Sequence, residues 1–294
     1  MASYAKSIAP SYSEEQARHN YPEEAPPPYE DVRNDAPPPL NHEQQTRPTD
    51  EKSGHGESLP PIAQASSSAP GPSNINRQFP PSFNIYLSSN ILYQKRYALG
   101  QHKDRPLNAI SVHTGLSGNP DVILRTGTSS DSAPLATVLF KTFSSDMILT
   151  LPPLTPSQPP SEIRMVAASW PTRSWSFVVE VTRPDGGHQP EPFEWRHSSG
   201  GEVKSLSGWG TGWKLVHTGP GGQGTGSGPR SGEGNEVVAV FAVPAMSITK
   251  AVEFRFLGSG MTGQFGERWA VTAVISALGI WEKEKRRNAG SATS

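Results

Sequence analysis

All ten phenylalanines and all seven tryptophans of this 294-residue chain lie after residue 78. Residues 1–78 contain one valine, two leucines and three isoleucines among many prolines, serines and acidic residues. A segment so poor in apolar side chains cannot bury enough surface to offset the entropy lost on ordering. We therefore predict a disordered, proline-rich acidic tail over 1–78, one folded domain over 79–288, and a short disordered end at 289–294.

Short apolar or alternating runs, separated by turn residues, fill the predicted domain. Such runs are typical of β-strands when clusters of glycine, proline, asparagine and aspartate separate them. Twelve strands are predicted, at residues 82–87, 91–99, 107–113, 122–125, 135–143, 147–151, 163–167, 175–181, 193–197, 213–217, 237–243 and 252–257. No helical period lies between them, so the pattern indicates an all-β barrel or sandwich in which strand edges are hidden.

Residues 219–234 contain eight glycines. A phosphate-binding glycine loop would be followed by Lys-Ser or Lys-Thr and by a helix, and neither follows here. We therefore interpret this segment as a flexible insertion between two strands.

Residues 264–287 have helical character. Within them, residues 269–281 are apolar or small on every face, which is typical either of a core helix or of a membrane span. Thirteen helical residues cover about 20 Å, less than the roughly 30 Å hydrocarbon thickness of a bilayer. We therefore favour a central helix enclosed by the strands, and we keep a membrane-inserted helix as the alternative.

Two further features of this helix concern its surroundings. Thr272, Ser276 and Gly279 form a stripe of small residues that neighbouring backbone can approach closely. The segment after residue 281 is wholly charged, and its cations are Lys283, Lys285, Arg286 and Arg287. Such cations suit a helix C-terminus and are candidates for contact with anionic lipid, although a solvated helix end accounts for them without a partner.

The formal net charge of −1 combines two opposite parts. Residues 1–78 hold 6 Lys and Arg against 11 Asp and Glu, a net charge of −5, whereas residues 79–294 hold 20 against 16, a net charge of +4. A mildly basic domain suits an anionic partner, but the absence of a basic cluster with interleaved aromatics argues against nucleic-acid binding. The chain has no cysteine, which excludes disulfides, thiol catalysis and cysteine-ligated metals.

The most specific short motif is Pro-Pro-x-Tyr in the tail, formed by Pro26, Pro27 and Tyr29 within an acidic context. WW domains bind prolines already in polyproline II conformation and receive the tyrosine in a neighbouring pocket. WW domains of this class occur in ubiquitin ligases, so the motif predicts a WW-domain partner and recruitment of such a ligase. The alternative is chance occurrence in a proline-rich segment.

No arrangement of residues predicts an enzyme, a cofactor site or a metal site. His197 and His217 end neighbouring predicted strands and could converge, but nothing near them has metal-ligand spacing, so we predict surface histidines. Residues 258–260, Gly-Ser-Gly, are predicted as a tight turn, since the hydrolase pattern Gly-x-Ser-x-Gly is missing. Trp209 and Trp213 flank Gly-Thr-Gly, which predicts a hairpin whose rings pack on the domain, with a sugar-binding platform as the alternative.

Several longer segments resemble a known family. They are FEWRHSSGGEVK at 193–204, GWKLV at 212–216, FRFLGSG at 254–260, and GERWAVTAV at 266–274 with its continuation to residue 281. With them, the chain resembles the tubby C-terminal-like fold of tubby, phospholipid scramblase and LURP-one-related proteins, as a fungal member. The resemblance covers roughly residues 83–287 and is clearest from residue 193 onward.

This resemblance implies a barrel of twelve antiparallel strands around a hydrophobic C-terminal helix. It also implies contact with membrane phosphoinositide or phospholipid, although no lipid-binding residue of the family can be matched here. The calcium loop described for scramblases has no counterpart in the sequence, because no run of alternating acidic or amide residues ends in a closing glutamate.

Together these features predict a non-enzymatic interaction protein that binds a phospholipid or a protein through its barrel and a WW domain through its tail. One alternative is a scramblase-like membrane protein with the terminal helix inserted, and a weaker one is a hydrolase or metal enzyme with its site at a barrel end. The first ten residues contain no long apolar run, so we expect a cytoplasmic protein that can lie peripherally on a membrane.

Overall fold

The computed structural model describes residues 78–91, 94–114, 117–155, 157–168, 173–183, 185–207, 210–223 and 228–291. The predicted tail lies outside these ranges except for Gln78, and with it the Pro-Pro-x-Tyr motif. Trp209 and residues 292–294 also lie outside them.

Twelve strands form one closed barrel. They are β1 Ser82–Ile91, β2 Gln94–Gly100, β3 Asn108–His113, β4 Val122–Arg125, β5 Pro134–Phe140, β6 Met147–Leu151, β7 Ser161–Ala167, β8 Ser174–Thr182, β9 His188–Ser198, β10 Gly212–His217, β11 Val237–Ala242 and β12 Lys250–Phe256. Each strand pairs antiparallel with the next, and β12 closes on β1 with Phe254 opposite Phe83. The predicted twelve-stranded antiparallel barrel is confirmed.

Alternation of side chains decides which face of each strand lines the interior. In β6, Met147, Leu149 and Leu151 are buried while the residues between them are partly exposed, as expected for a strand with one face toward a core. β11 is an exception, since all six of its residues are buried. Its outer face is covered by helix α1, Gly201–Ser207, whose Val203 packs on Val237 and Val240.

Two prolines lie inside β9, which the sequence places only at 193–197. The strand begins at His188 and carries Pro190 and Pro192 opposite β8. β10 pairs with β9 only from Phe193 onward, and the Pro192 carbonyl accepts a hydrogen bond from the Thr218 amide on that side. Because the missing proline N–H groups face a side with no ladder partner, the strand continues through them.

The C-terminal helix fills the barrel. Helix α3 spans Gly266–Ser291, and Trp269 and residues 271–282 are buried on all faces. It packs on β4, β5, β6 and β8, and its apolar side chains belong to the same core cluster as the inward-facing strand residues. The prediction of a central helix is confirmed. No helix within the described ranges has the length and apolarity needed to cross a bilayer.

The barrel wall lies close to α3 at two residues of the small-residue stripe, Ser276 and Gly279. The buried Ser276 hydroxyl accepts a hydrogen bond from Trp195 Nε1 at 2.8 Å. At Gly279, an added Cβ would lie 3.1 Å from Met147 Sδ and 3.2 Å from Val138 Cγ1. A larger side chain at Gly279 would press against the barrel wall, and one without a hydroxyl at Ser276 would leave the Trp195 N–H without its acceptor.

Both ends of α3 differ from the sequence prediction of 264–287. The helix begins at Gly266, because Gly263 and Gly266 adopt left-handed φ angles of 79° and 83° that form a turn before it. It continues to Ser291, whose hydroxyl donates to the Arg287 carbonyl at 3.1 Å. Residues 289–291, predicted as disordered, therefore belong to the helix.

One loop prediction also needs correction, and one predicted loop is described only in part. Residues 258–260, expected to be a tight turn, begin the short helix α2, Gly258–Thr262, in which the Ser259 amide donates to Glu236 Oε1 at 2.8 Å. In the glycine-rich segment 219–234, residues 224–227 lie outside the described ranges, and the part before them contains the 3-10 helix Pro220–Gln223. The later part of the same segment includes the buried Ser231.

Candidate functional site

The two ends of the barrel carry different connections. In an up-and-down barrel the odd-to-even connections lie at one end and the even-to-odd connections at the other. The C-terminal part of α3 emerges at the first of these ends, where Lys283 Nζ donates to the Ser145 carbonyl in the β5–β6 connection at 2.6 Å. We call it the helix-exit end. It comprises the odd-to-even connections and residues 281–291 of α3.

A cavity of about 760 Å³ opens at the helix-exit end. Its floor consists of four aromatic residues, Tyr97, Trp213, Phe241 and Trp281. Tyr97 meets Trp281 edge to face with ring centroids 4.9 Å apart, and Trp213 stacks on Phe241 at 6.5 Å. One wall is the β11–β12 connection, which contributes residues 243–245 and 247–249. The floor is thus the last aromatic layer of the barrel core.

Four cationic side chains line this cavity, namely Arg173, Lys250, Lys285 and Arg287. Glu284 is the only carboxylate among the described residues of the lining. It accepts hydrogen bonds from Arg173, from Trp213 Nε1 at 3.0 Å and from Arg287 at 3.3 Å. Two guanidinium groups therefore share one carboxylate, which leaves positive charge facing the cavity.

The two lysines are held in different ways. Lys285 Nζ lies 4.7 Å from the Trp281 ring centroid and bonds to Glu282 at 2.6 Å, so its ammonium stays over the aromatic floor. Attraction between a cation and the face of a ring favours this position. Lys250 bonds to Glu253 at 2.8 Å, and this hydrogen bond raises the pKa of Lys250. The raised pKa keeps Lys250 charged at neutral pH.

His197 lies between these charges. It packs edge-on against Trp213 with ring centroids 5.4 Å apart. Burial, and secondly the nearby Arg173, lowers the pKa of His197, while Glu284 opposes this shift. The ring is therefore neutral at pH 7, and it gains charge only under acidic conditions.

The sequence suggested that His197 and His217 could converge, and this is wrong. In the antiparallel pair of β9 and β10, His197 lies opposite Trp213 whereas His217 lies opposite Phe193. The two histidines are thus at opposite ends of the barrel. His217 is also not a surface residue, since it is 4% exposed, stacks on Phe193 at 4.7 Å and contacts Glu191 at 3.1 Å.

The structure separates the four predicted lipid-contact residues, Lys283, Lys285, Arg286 and Arg287, into two pairs. Lys285 and Arg287 line the cavity. Arg286 instead bonds to Asp121 at 2.6 Å and to the buried Glu282 at 2.9 Å. Burial lowers the pKa of Lys283, whose ammonium bonds to backbone carbonyls of the β5–β6 connection. The charged end of α3 is therefore largely paired within the protein, not simply solvated.

Sequence reasoning missed Arg173, Lys250 and His197 as cavity residues. They come from three separate connections or strand ends, and only closure of the barrel brings them together. Trp213, predicted to pack on the domain, lies inside the barrel and is 1% exposed. Trp209, the other ring of the sugar-platform alternative, lies outside the described residues.

The described residues contain no group of three or more His, Cys, Asp and Glu side chains that could hold a metal ion. No protein-family model, curated protein or solved structure matches this chain. The resemblance to the tubby C-terminal-like fold therefore stays a prediction from the sequence.

Proposed function

We propose that this protein is a non-enzymatic binding module that holds the anionic headgroup of a membrane phospholipid in the cavity at the helix-exit end. The observation that carries the proposal is the pairing of two arginines with the single carboxylate of Glu284, beside two lysines placed over or next to an aromatic floor. A headgroup phosphate supplies the missing negative charge.

The chemistry of the lining suits a phosphate ester. A guanidinium group binds phosphate oxygens with two parallel N–H groups, and Arg173 and Arg287 present two such groups from facing elements. Lys285 adds a point charge, and neutral His197 can donate one hydrogen bond without adding charge. The cavity volume of about 760 Å³ lies within the range of ligand sites, roughly 300–1,000 Å³.

The alternative in which α3 enters a bilayer conflicts with its packing. Trp269, Trp281 and most residues between them form the barrel core together with the inward-facing strand residues. Withdrawing the helix would expose both its own apolar surface and that of the strands to water, which the hydrophobic effect opposes. Contact through the helix-exit end requires no such rearrangement.

Co-sedimentation of the full-length chain with vesicles tests the proposal. We expect binding to phosphatidylcholine vesicles that contain phosphatidylserine or a phosphoinositide, and none to phosphatidylcholine alone. The double variant Arg173→Gln/Arg287→Gln should bind about thirtyfold more weakly, since each basic residue near an anionic surface contributes about 1 kcal/mol. Glu284→Gln should bind more tightly, because it removes the carboxylate that the two arginines share.

Arg183→Gln is the matched control for the arginine variants. Arg183 follows β8 at the opposite end of the barrel, where it pairs with Asp185 at 3.6 Å. Its substitution should leave vesicle binding unchanged. Equal binding to neutral and anionic vesicles, or a double variant as effective as the parent chain, would refute the proposal.

We further propose that the tail recruits a WW-domain protein, such as a ubiquitin ligase, through Pro26, Pro27 and Tyr29. The support is the Pro-Pro-x-Tyr sequence itself, which lies outside the described residues. Tyr29→Ala should abolish capture of the full chain by an immobilised WW domain, because the tyrosine pocket would be empty. Leu40→Ala, beside a proline triplet without tyrosine, is the control, and undiminished capture of the Tyr29 variant would show the motif to be incidental.

A further inference from the structure

Three large apolar side chains of the described residues are almost fully exposed. They are Phe143 at 104%, Met246 at 98% and Ile248 at 97%, whereas the next most exposed, Val178, reaches 52%. Phe143 lies in the β5–β6 connection, and Met246 and Ile248 lie in the β11–β12 connection. Both connections belong to the helix-exit end. We call these three residues the apolar tips.

The backbone at one tip is held in an unfavourable conformation. Phe143 has a φ angle of 65° and is the only residue other than glycine with a positive φ among the described residues. Bulky side chains rarely adopt this left-handed region, and strain of this kind occurs preferentially where a residue serves a binding function. The turn therefore presents an exposed aromatic ring from a backbone conformation that costs stability.

Positive charge surrounds the apolar tips. Ile248 itself lines the cavity together with Lys250, Lys285 and Arg287. Phe143 follows the exposed Lys141, and the connection that carries it binds the ammonium of Lys283. Apolar side chains at loop tips within a cationic surface complement an anionic bilayer, which offers negative headgroups above a hydrocarbon layer.

We propose that the apolar tips insert into the hydrocarbon layer of an anionic membrane, so that the barrel stands with its helix-exit end against the bilayer. This inference rests on the proposed function, because the membrane into which the tips insert is the source of the headgroup held in the cavity. Side chains alone reach into the hydrocarbon. The loop backbone stays among the headgroups, where its polar groups find hydrogen-bond partners.

The two contributions to binding differ in their response to salt. Attraction between the cavity cations and anionic lipid is screened as ionic strength rises, whereas transfer of apolar side chains out of water is not weakened by salt. Met246→Gln/Ile248→Thr should therefore reduce vesicle binding about tenfold or more at low salt. At high salt, the Met246→Gln/Ile248→Thr variant should no longer bind vesicles. The arginine variant Arg173→Gln/Arg287→Gln should keep some binding under the same conditions.

The absence of cysteine in the chain allows a direct measurement of insertion. Met246→Cys carries a polarity-sensitive dye at one tip, and Met261→Cys carries it on α2 at the opposite end, where the methionine is 45% exposed. With phosphatidylcholine–phosphatidylserine vesicles, we expect the dye at residue 246 to shift to shorter wavelength and to be quenched by chain-labelled lipid. The dye at residue 261 should show neither effect.

The outcomes separate this inference from the proposed function. If the chain binds anionic vesicles and depends on Arg173 and Arg287, yet the dye at residue 246 stays in water, insertion is refuted and headgroup binding stands. If the dye inserts while the arginine variant binds normally, insertion holds and the cavity proposal fails. A chain that binds no vesicle refutes both. A dye shielded without lipid as protein concentration rises would assign the tips to a second copy of this chain and overturn the inference.

Discussion

The hydrogen bond between Trp195 and Ser276 offers the sharpest test of how α3 lies inside the barrel. Both side chains are fully buried, and Trp195 Nε1 donates to the Ser276 hydroxyl at 2.8 Å. In Ser276→Ala the indole N–H stays buried without an acceptor. An unsatisfied buried donor costs about 1–3 kcal/mol, and the better helix propensity of alanine returns about 0.5 kcal/mol.

We therefore expect Ser276→Ala to lower the free energy of unfolding by about 1.5 kcal/mol. For a domain of this size, that corresponds to a melting temperature about 3–6 °C lower. Thr272→Val is the matched control. Thr272 is equally buried, but its hydroxyl donates to the Arg268 carbonyl within the same helix. That carbonyl keeps its helical partner, so the expected change is within about 0.5 kcal/mol.

Urea unfolding, followed by far-UV circular dichroism, measures the two free energies. A double-mutant cycle with Trp195→Phe adds the specific test, since Ser276→Ala should cost much less once the indole donor is gone. If Ser276→Ala and Thr272→Val have equal effects and the cycle shows no coupling, the hydrogen bond contributes nothing. The register of α3 inside the barrel would then be wrong.

Three further predictions follow from other sites. Gly279→Ala should cost about 1 kcal/mol in the free energy of unfolding, because overpacking against the barrel wall costs about 2 kcal/mol and exceeds the gain in helix propensity of about 1 kcal/mol. Gly290→Ala, with no atom within 4 Å of its added Cβ, should be neutral or stabilising in the same urea titration. Phe143→Asn should raise the melting temperature, since asparagine tolerates the left-handed conformation, and yet weaken vesicle binding; a lower melting temperature would contradict the strain. Burial lowers the pKa of both His113 and His197 from 6.5, so the unfolded chain takes up these protons first. The folded state is most stable above pH 6.5, where both histidines are neutral in the folded and the unfolded chain. As the pH falls below that value, the unfolded chain binds protons more readily than the folded chain, and stability decreases until the folded histidines are protonated too. The melting temperature should therefore fall between about pH 7 and pH 5. The variant His113→Gln/His197→Gln should show a smaller fall in melting temperature over the same range.

Most of the barrel could be predicted because its strands obey a local rule. β4 and β6 have the predicted bounds, since each is a short apolar run between turn residues. β9 was underestimated because Pro190 and Pro192 are strand-breaking signals, and only the short reach of β10 makes them tolerable. Helix α1 depends on tertiary contacts, including Lys214–Glu202 at 3.2 Å. The sequence indicates this helix only indirectly. β11 is an unbroken apolar run, which is typical of a strand buried on both faces, so some other element has to cover its outer face.

The candidate site was less accessible from the sequence because it has no local pattern. Arg173, Lys250 and Glu284 meet only once the strands close and the helix threads them. The charged end of α3 indicated the helix-exit end, where the cavity lies, but not which cations have partners inside the protein. The sequence does contain one indication of this surface. Met246 and Ile248 lie in the connection 243–249, after a proline and just before β12. Apolar residues of this size in a connection indicate a surface that something else covers.

The helix couples the candidate site to the stability of the barrel. Since α3 fills the interior, a ligand cannot lie inside the barrel and must bind on its surface. At the helix-exit end, Trp281 belongs both to the core and to the cavity floor, and Glu284 joins the helix to Trp213 and Arg173. Under the proposed function, a headgroup that binds these arginines in the folded chain only would stabilise the last turns of α3, and the stabilisation would grow with the logarithm of ligand concentration. The proposed membrane contact and the packing of the central helix would then be linked energetically through one layer of aromatic and charged side chains.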